Sequence, residues 1–160
     1  MRTSRWASRR RHRSAEEPDA GCRTPDATAA EWRVMDQANR VERRALVRRR
    51  DGGTCIWCGR VFDRLVTPTV EHVVPRVRGG PSWLENEVAA CRRCNGERGH
   101  RGAVEWLDEC RRRGWAPDGA RLDRVLSDLA AAIERRGGQR RARVQVASQR
   151  RRLRRLTGVS

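Results

Sequence analysis

Lysine and tyrosine are missing from this chain of 160 residues, phenylalanine occurs once, isoleucine twice and asparagine three times. All five are specified by AT-rich codons, so the shortage reads as a GC-rich coding sequence. Arginine standing for every lysine is then no sign of selection for bidentate phosphate contacts, although guanidinium groups make them whatever their origin. Long hydrophobic runs are missing too. Nothing approaches the roughly 18 apolar residues of a membrane span, and the N-terminus lacks the apolar stretch of about 7–15 residues that a secretory signal carries. The expectation is a soluble, cytoplasmic protein, prokaryotic or phage-encoded, neither secreted nor membrane-bound. Hydrophobic residues make up 37%, which suits one modest domain and not two.

Positive charge is plentiful: 37 basic residues stand against 20 acidic ones, a net +17. Residues 1–13 hold six arginines and no acid, residues 137–160 hold eight and no acid, and the 14–136 body keeps only +3. A block of like charge cannot collapse on itself, so both ends are expected to be disordered arms that a polyanion orders. Nucleic acid is the foremost such polyanion, with an acidic protein or a membrane surface as the plainer alternative. Residues 1–15 also have the look of a mitochondrial transit peptide, a reading that Glu16, Glu17 and Asp19 oppose.

The chain divides accordingly. Residues 1–27 are the N-terminal arm, in which Cys22 is an isolated thiol. Thr28 to Glu31 has capping-box spacing, and Val34, Ala38, Val41 and Ala45 form a narrow apolar stripe, so a leading helix is expected over 28–51, ended by Gly52 and Gly53. Arg40, Arg43, Arg44 and Arg48 to Arg50 then form a solvated face. A core unit spans 52–116 and includes a short helix with Val104, Leu107 and Cys110 on its apolar face. Leu122, Val125, Leu126, Leu129 and Ile133 predict a helix over 117–136, and 137–160 is the basic tail. Trp32, Trp83, Trp106 and Trp115 read as core or loop anchors rather than base-stacking platforms.

Cysteine is concentrated in the core unit. Cys55-Ile56-Trp57-Cys58 and Cys91-Arg92-Arg93-Cys94 each let a tight turn present two thiolates to one metal, and two such knuckles complete a tetrahedral structural zinc site. Disulfides are the competing use, against which the missing export signal argues. The 32 residues between the knuckles exceed a simple zinc-ribbon spacing, so an insert must fold there. Within it, Thr69 to Pro75 alternates like a strand and delivers Glu71 and His72 side by side at its exit. A Gly79-Gly80-Pro81 loop follows, then Asn86, an apolar Val88-Ala89-Ala90, and Asn95 to Arg98, which can begin a helix.

Together these pieces, over about residues 48–101, resemble an HNH endonuclease of the ββα-metal type. The resemblance rests on the paired CxxC motifs, the acid-His pair followed by Val-Val-Pro, the Gly-Gly loop, and the spacing to Asn86 and Asn95. It implies an α+β fold: a small ββα-metal core with a treble-clef-like zinc site, flanked by helices and disordered basic termini. By position, it makes His72 the general base, Glu71 and Asn95 the ligands of a catalytic divalent cation (Mg2+, Mn2+ or another), and Asn86 the residue that orients His72. Cys55, Cys58, Cys91 and Cys94 hold the zinc, and Arg98 and Arg101 grip the cleaved strand. The sequence departs from the family in having Glu rather than Asp at position 71, and in the neutral amide of Asn95 where a His is frequent.

The chemistry is consistent with those roles. In-line attack of water on phosphorus needs a base that is free near pH 7 and a positive charge for the leaving oxygen. The implied function is a metal-dependent endonuclease hydrolysing DNA, double-stranded by preference, with a protein partner as a possible source of specificity. The alternatives are a non-catalytic treble-clef zinc module that binds DNA or RNA, and an arm-driven packaging protein.

Overall fold

The structure is a computed structural model and describes residues 38–157. The N-terminal arm, Cys22, Trp32 and the expected helix start at Thr28 lie outside the described residues. A first helix, α1 (Arg40–Asp51), is capped by Asn39, whose side chain accepts from Val41 N and Glu42 N, while the Glu42 carboxylate returns a bond to Asn39 N. That is a capping box eleven residues later than expected. Ala38 and Asn39 are not helical, so a single helix over 28–51 does not form. Gly52 ends α1 at φ 72°, a left-handed value that glycine adopts without strain.

The centre is an antiparallel pair, β1 (Pro68–His72) and β2 (Glu87–Cys91), in the register Pro68↔Cys91 to His72↔Glu87. All of β2 is buried, because α1 covers one face and α2 (Arg92–Arg98) the other. The sequence suggested that Asn95 could begin this helix. It begins at Arg92 instead, where the Cys91 sulfur accepts from Cys94 N. Three further helices follow: α3 (Ala103–Arg112), α4 (Gly119–Arg136) and α5 (Arg140–Thr157). Leu122, Leu126, Leu129 and Ile133 of α4 are almost wholly buried, each contributing about 1.5–3 kcal/mol of transfer free energy.

The C-terminal segment corrects the expectation of a disordered tail. Helix α5 lies against α4 and α3 and buries Ala142, Val146, Gln149 and Leu153. Those four positions repeat at helical spacing and make one narrow stripe, hidden in the sequence by the eight surrounding arginines. Gln149 Oε1 also accepts from Val104 N at 2.9 Å, satisfying an amide in the first turn of α3.

Candidate active site and metal centre

The four cysteines of the two knuckles come together. Cys55, Cys58, Cys91 and Cys94 are buried, and their sulfurs all lie within 4.8 Å of one another. A tetrahedron with Zn–S bonds of about 2.3 Å has sulfur–sulfur edges of about 3.8 Å, and Cys58 and Cys91 stand 3.9 Å apart. Backbone amides support the negative charge: Cys91 N donates to Cys55 Sγ at 3.2 Å and Cys94 N to Cys91 Sγ at 3.5 Å. The hydrogen bond from Cys94 holds the Cys55 thiol down to about 5 in spite of its burial. The cluster is compatible with zinc on donor type, number and spacing. Cys110 is buried apart from it, as a small apolar residue.

Asn86 is fully buried and serves the loop rather than the imidazole ring. Its Oδ1 accepts from Val74 N at 2.8 Å, and its Nδ2 donates to Val74 O at 3.0 Å and Pro81 O at 2.8 Å. A Cβ on Gly80 would fall 1.8 Å from Val74 O and 2.8 Å from Asn86 Nδ2. Only glycine therefore lets the chain pass Asn86, and the loop from Pro75 to Glu85 is clamped to the exit of β1. No hydrogen bond joins the Asn86 side chain to the His72 ring; its partners lie two residues beyond it, at Val74, and at Pro81.

Successive side chains of a strand point to opposite faces, and this separates the expected acid from the expected base. Glu71 faces α2. Its Oε2 accepts from Trp57 Nε1 and its Oε1 from Arg98 Nη1, and both partners are buried. Arg98 also donates to the carbonyls of His72 and Val73. Arg98 thus ties α2 to β1 from inside, and with 1% exposure it offers nothing to a phosphate at the surface. Asn95 lies on the same side, donating to Thr69 Oγ1 at 3.1 Å. Arg101 lies beyond the helix, stacked over Trp106 at 4.2 Å and bonded to Arg98 O.

His72 belongs to the other group. Its Nε2 is 3.3 Å from Ser82 Oγ and 3.7 Å from Glu87 Oε1, and Glu87 is held in turn by Arg43 Nε at 3.1 Å. Burial, followed by the charges of Arg76, Arg43 and Arg98, lowers the His72 imidazole to about 4. Burial raises the Glu87 carboxyl, against the pull of Arg43. The ring is therefore neutral at pH 7, a quarter exposed at its side chain, and set among arginines. That combination can accept a proton from water while neighbouring guanidinium groups hold an anion.

Sequence reasoning missed Glu87, Ser82 and Arg43 as neighbours of His72. Glu87 was within reach, because an antiparallel pair joined through Asn86 sets the next residue opposite His72. Ser82 and Arg43 carried no such signal. Arg43 and Arg50, placed on a solvated face, in fact hold β2: Arg50 donates to the carbonyls of Leu84 and Glu87.

Residues 55–105, 51 of the 160, match the sequence profile of the HNH endonuclease family. The match takes in both cysteine pairs, Glu71, His72, Asn86 and Asn95, and ends within the first turn of α3. It supports a nuclease, and with it a nucleic-acid substrate. No curated protein and no solved structure matches the chain. No helix among the described residues is long and apolar enough to cross a membrane.

Proposed function

With an HNH endonuclease segment at its centre, we propose that this protein hydrolyses phosphodiester bonds of DNA and that His72 is the general base. The observation that carries the reading is the partly exposed, neutral His72 ring, with Ser82 Oγ at 3.3 Å and Glu87 Oε1 at 3.7 Å, set among arginines. Water attacking phosphorus in line gives up its proton as the P–O bond forms, and an unprotonated imidazole within reach takes it. Arg76, exposed on the 3-10 turn beside the ring, lowers the charge cost of the phosphorane oxygens and of the leaving oxygen. Asn86 and Gly80 keep the ring in place by clamping the loop behind it.

The divalent cation implied at Glu71 and Asn95 does not fit the side chains as they lie. Both Glu71 oxygens are engaged, and a cation there would have to displace the Arg98 guanidinium. An ion such as Mg2+ dehydrates reluctantly and takes one or two free carboxylates, so no step is routed through it. The same Glu71–Arg98 pair favours a second reading, a zinc module that binds nucleic acid without cutting it.

A plasmid-nicking assay decides between the two. Zinc-loaded protein should convert supercoiled to open-circular DNA in at least one of Mg2+, Mn2+ or Ni2+, or with no added divalent cation. Intact supercoiled DNA in all four leaves only the binding module.

A further inference from the structure

Helix α5 carries eight arginines and no acid, and among the described residues only Arg143 of the eight forms an ion pair, to Glu134 at 2.9 Å. The remaining charges are not spread evenly. Ala142, Val146, Gln149 and Leu153 turn inward, which directs Arg140 and Arg151 to the outer side, with Arg141 flanking the loop at one end and Arg155 beside Glu105 and Asp108 at the other. At the N-terminal end of α5 the arginines meet the catalytic loop. A Cβ on Gly79 would lie 2.6 Å from Arg141 Cβ, so glycine at this position permits the closest possible approach of loop and helix. The seam opens into a cleft of about 520 Å³ lined by Arg78, Arg140, Arg141, Val144 and Gln145. Val144 and the neighbouring Val77 are both largely exposed.

We propose that this cleft is a phosphate-binding subsite for double-helical nucleic acid, lying beside the scissile position and continued along the outer face of α5. Three of the five lining residues are arginines and none is a carboxylate, which selects an anion. A cleft this open takes a phosphate on a backbone rather than enclosing a small molecule. Arg78 sits on the same 3-10 turn, Arg76–Arg78, as the arginine whose charge acts on His72. Ser82, in contact with the His72 ring, follows four residues later. One short loop therefore carries a wall of the cleft and part of the His72 site. From Arg141 to Arg155 the helix rises about 21 Å at about 1.5 Å per residue. A rigid row of that length meets the equally rigid phosphate row of a duplex with little ordering cost. The proposal takes only the identity of the anion from the nuclease reading.

The test is duplex binding by zinc-loaded protein without chelator or added divalent cation, with the duplex shown by gel to be intact after each titration. A 20-base-pair duplex is titrated by fluorescence anisotropy over a salt series with wild-type protein, the triple variant Arg78→Gln/Arg140→Gln/Arg141→Gln, and a control of equal charge change, Arg44→Gln/Arg111→Gln/Arg124→Gln, on α1, α3 and α4. Each substituted arginine is solvent-facing and keeps its Cβ, and circular dichroism checks that the fold is retained. If the three contact phosphates, the triple variant binds at least about tenfold more weakly, and the slope of log K against log salt flattens by about 2–3, while the control changes little. This result stands even if the protein proves unable to cut. Equal losses in the triple variant and the control overturn the proposal. So do an unchanged salt slope, or loss of binding to anionic phospholipid vesicles with duplex affinity intact.

Discussion

Arg98 donates through Nη1 to Glu71 across 27 residues of sequence, and both side chains are sealed from solvent. The pair fastens α2, which also brings Cys94 into the zinc cluster, to the strand that ends in His72. The cysteine cluster and His72 are thus joined through one buried ion pair, with Trp57 of the first knuckle donating to the same carboxylate.

Breaking this pair from one side leaves a buried charge without its partner, and such a loss costs about 3–5 kcal/mol. Arg98→Met should destabilise zinc-loaded protein by that amount in urea denaturation. Replacing both residues together, Glu71→Leu/Arg98→Met, should recover most of it. A change below about 1 kcal/mol for Arg98→Met alone would show that the pair is not a structural fastening.

The same engagement predicts feeble cation binding at Glu71 in the absence of nucleic acid. Titration of zinc-loaded protein with Mn2+, followed by electron paramagnetic resonance, should find no site there tighter than on the order of 1 mM. A micromolar site that vanishes in Glu71→Gln would restore the family-derived ligand role.

His72 should stay unprotonated well below neutrality. Its imidazole is lowered from an ordinary 6.5 to about 4, so the folded chain binds fewer protons than the unfolded chain between those values. In that window stability falls as the pH is lowered through 6.5 towards 4. The ring resonances followed by NMR should titrate near 4, and the acid limb of kcat/KM should lie near 4 rather than 6.5. Titration at 6.5 would place the ring in open solvent.

Helix α5 belongs to the folded body, so truncation at residue 139 should lower stability as well as nucleic-acid affinity. Leu153→Ala should cost about 2–5 kcal/mol, measured by thermal or urea unfolding. A cost near zero would return this segment to the disordered tail expected from its charge.

Much of the core was legible because its signals are local and repetitive. The CxxC spacing foretold the cysteine cluster, and the leucines of α4 foretold a buried face. Where one signal overlay another, reading failed. The stripe of Ala142, Val146, Gln149 and Leu153 is as regular as that of α4, yet eight arginines outweighed four positions. The Thr28 to Glu31 spacing recurs at Asn39 to Glu42, where it caps a helix. The site was legible as a set of residues but not as a geometry. Glu71 and His72 are adjacent in sequence, and the pleat turns them to opposite faces, so the acid beside His72 is Glu87 from the partner strand. Nothing in the sequence marks that Arg98 is buried, since its partners lie 25 to 27 residues away.

The most direct test of the account is the cleavage rate of His72→Ala at saturating DNA, with duplex affinity measured in parallel. Loss of the base should lower cleavage by about 10²–10⁴-fold, leaving affinity within a few-fold because the phosphate contacts come from arginines. A His72→Ala protein that nicks plasmid at the wild-type rate would contradict the assignment of His72 and, with it, the site built around Ser82, Glu87 and Arg43.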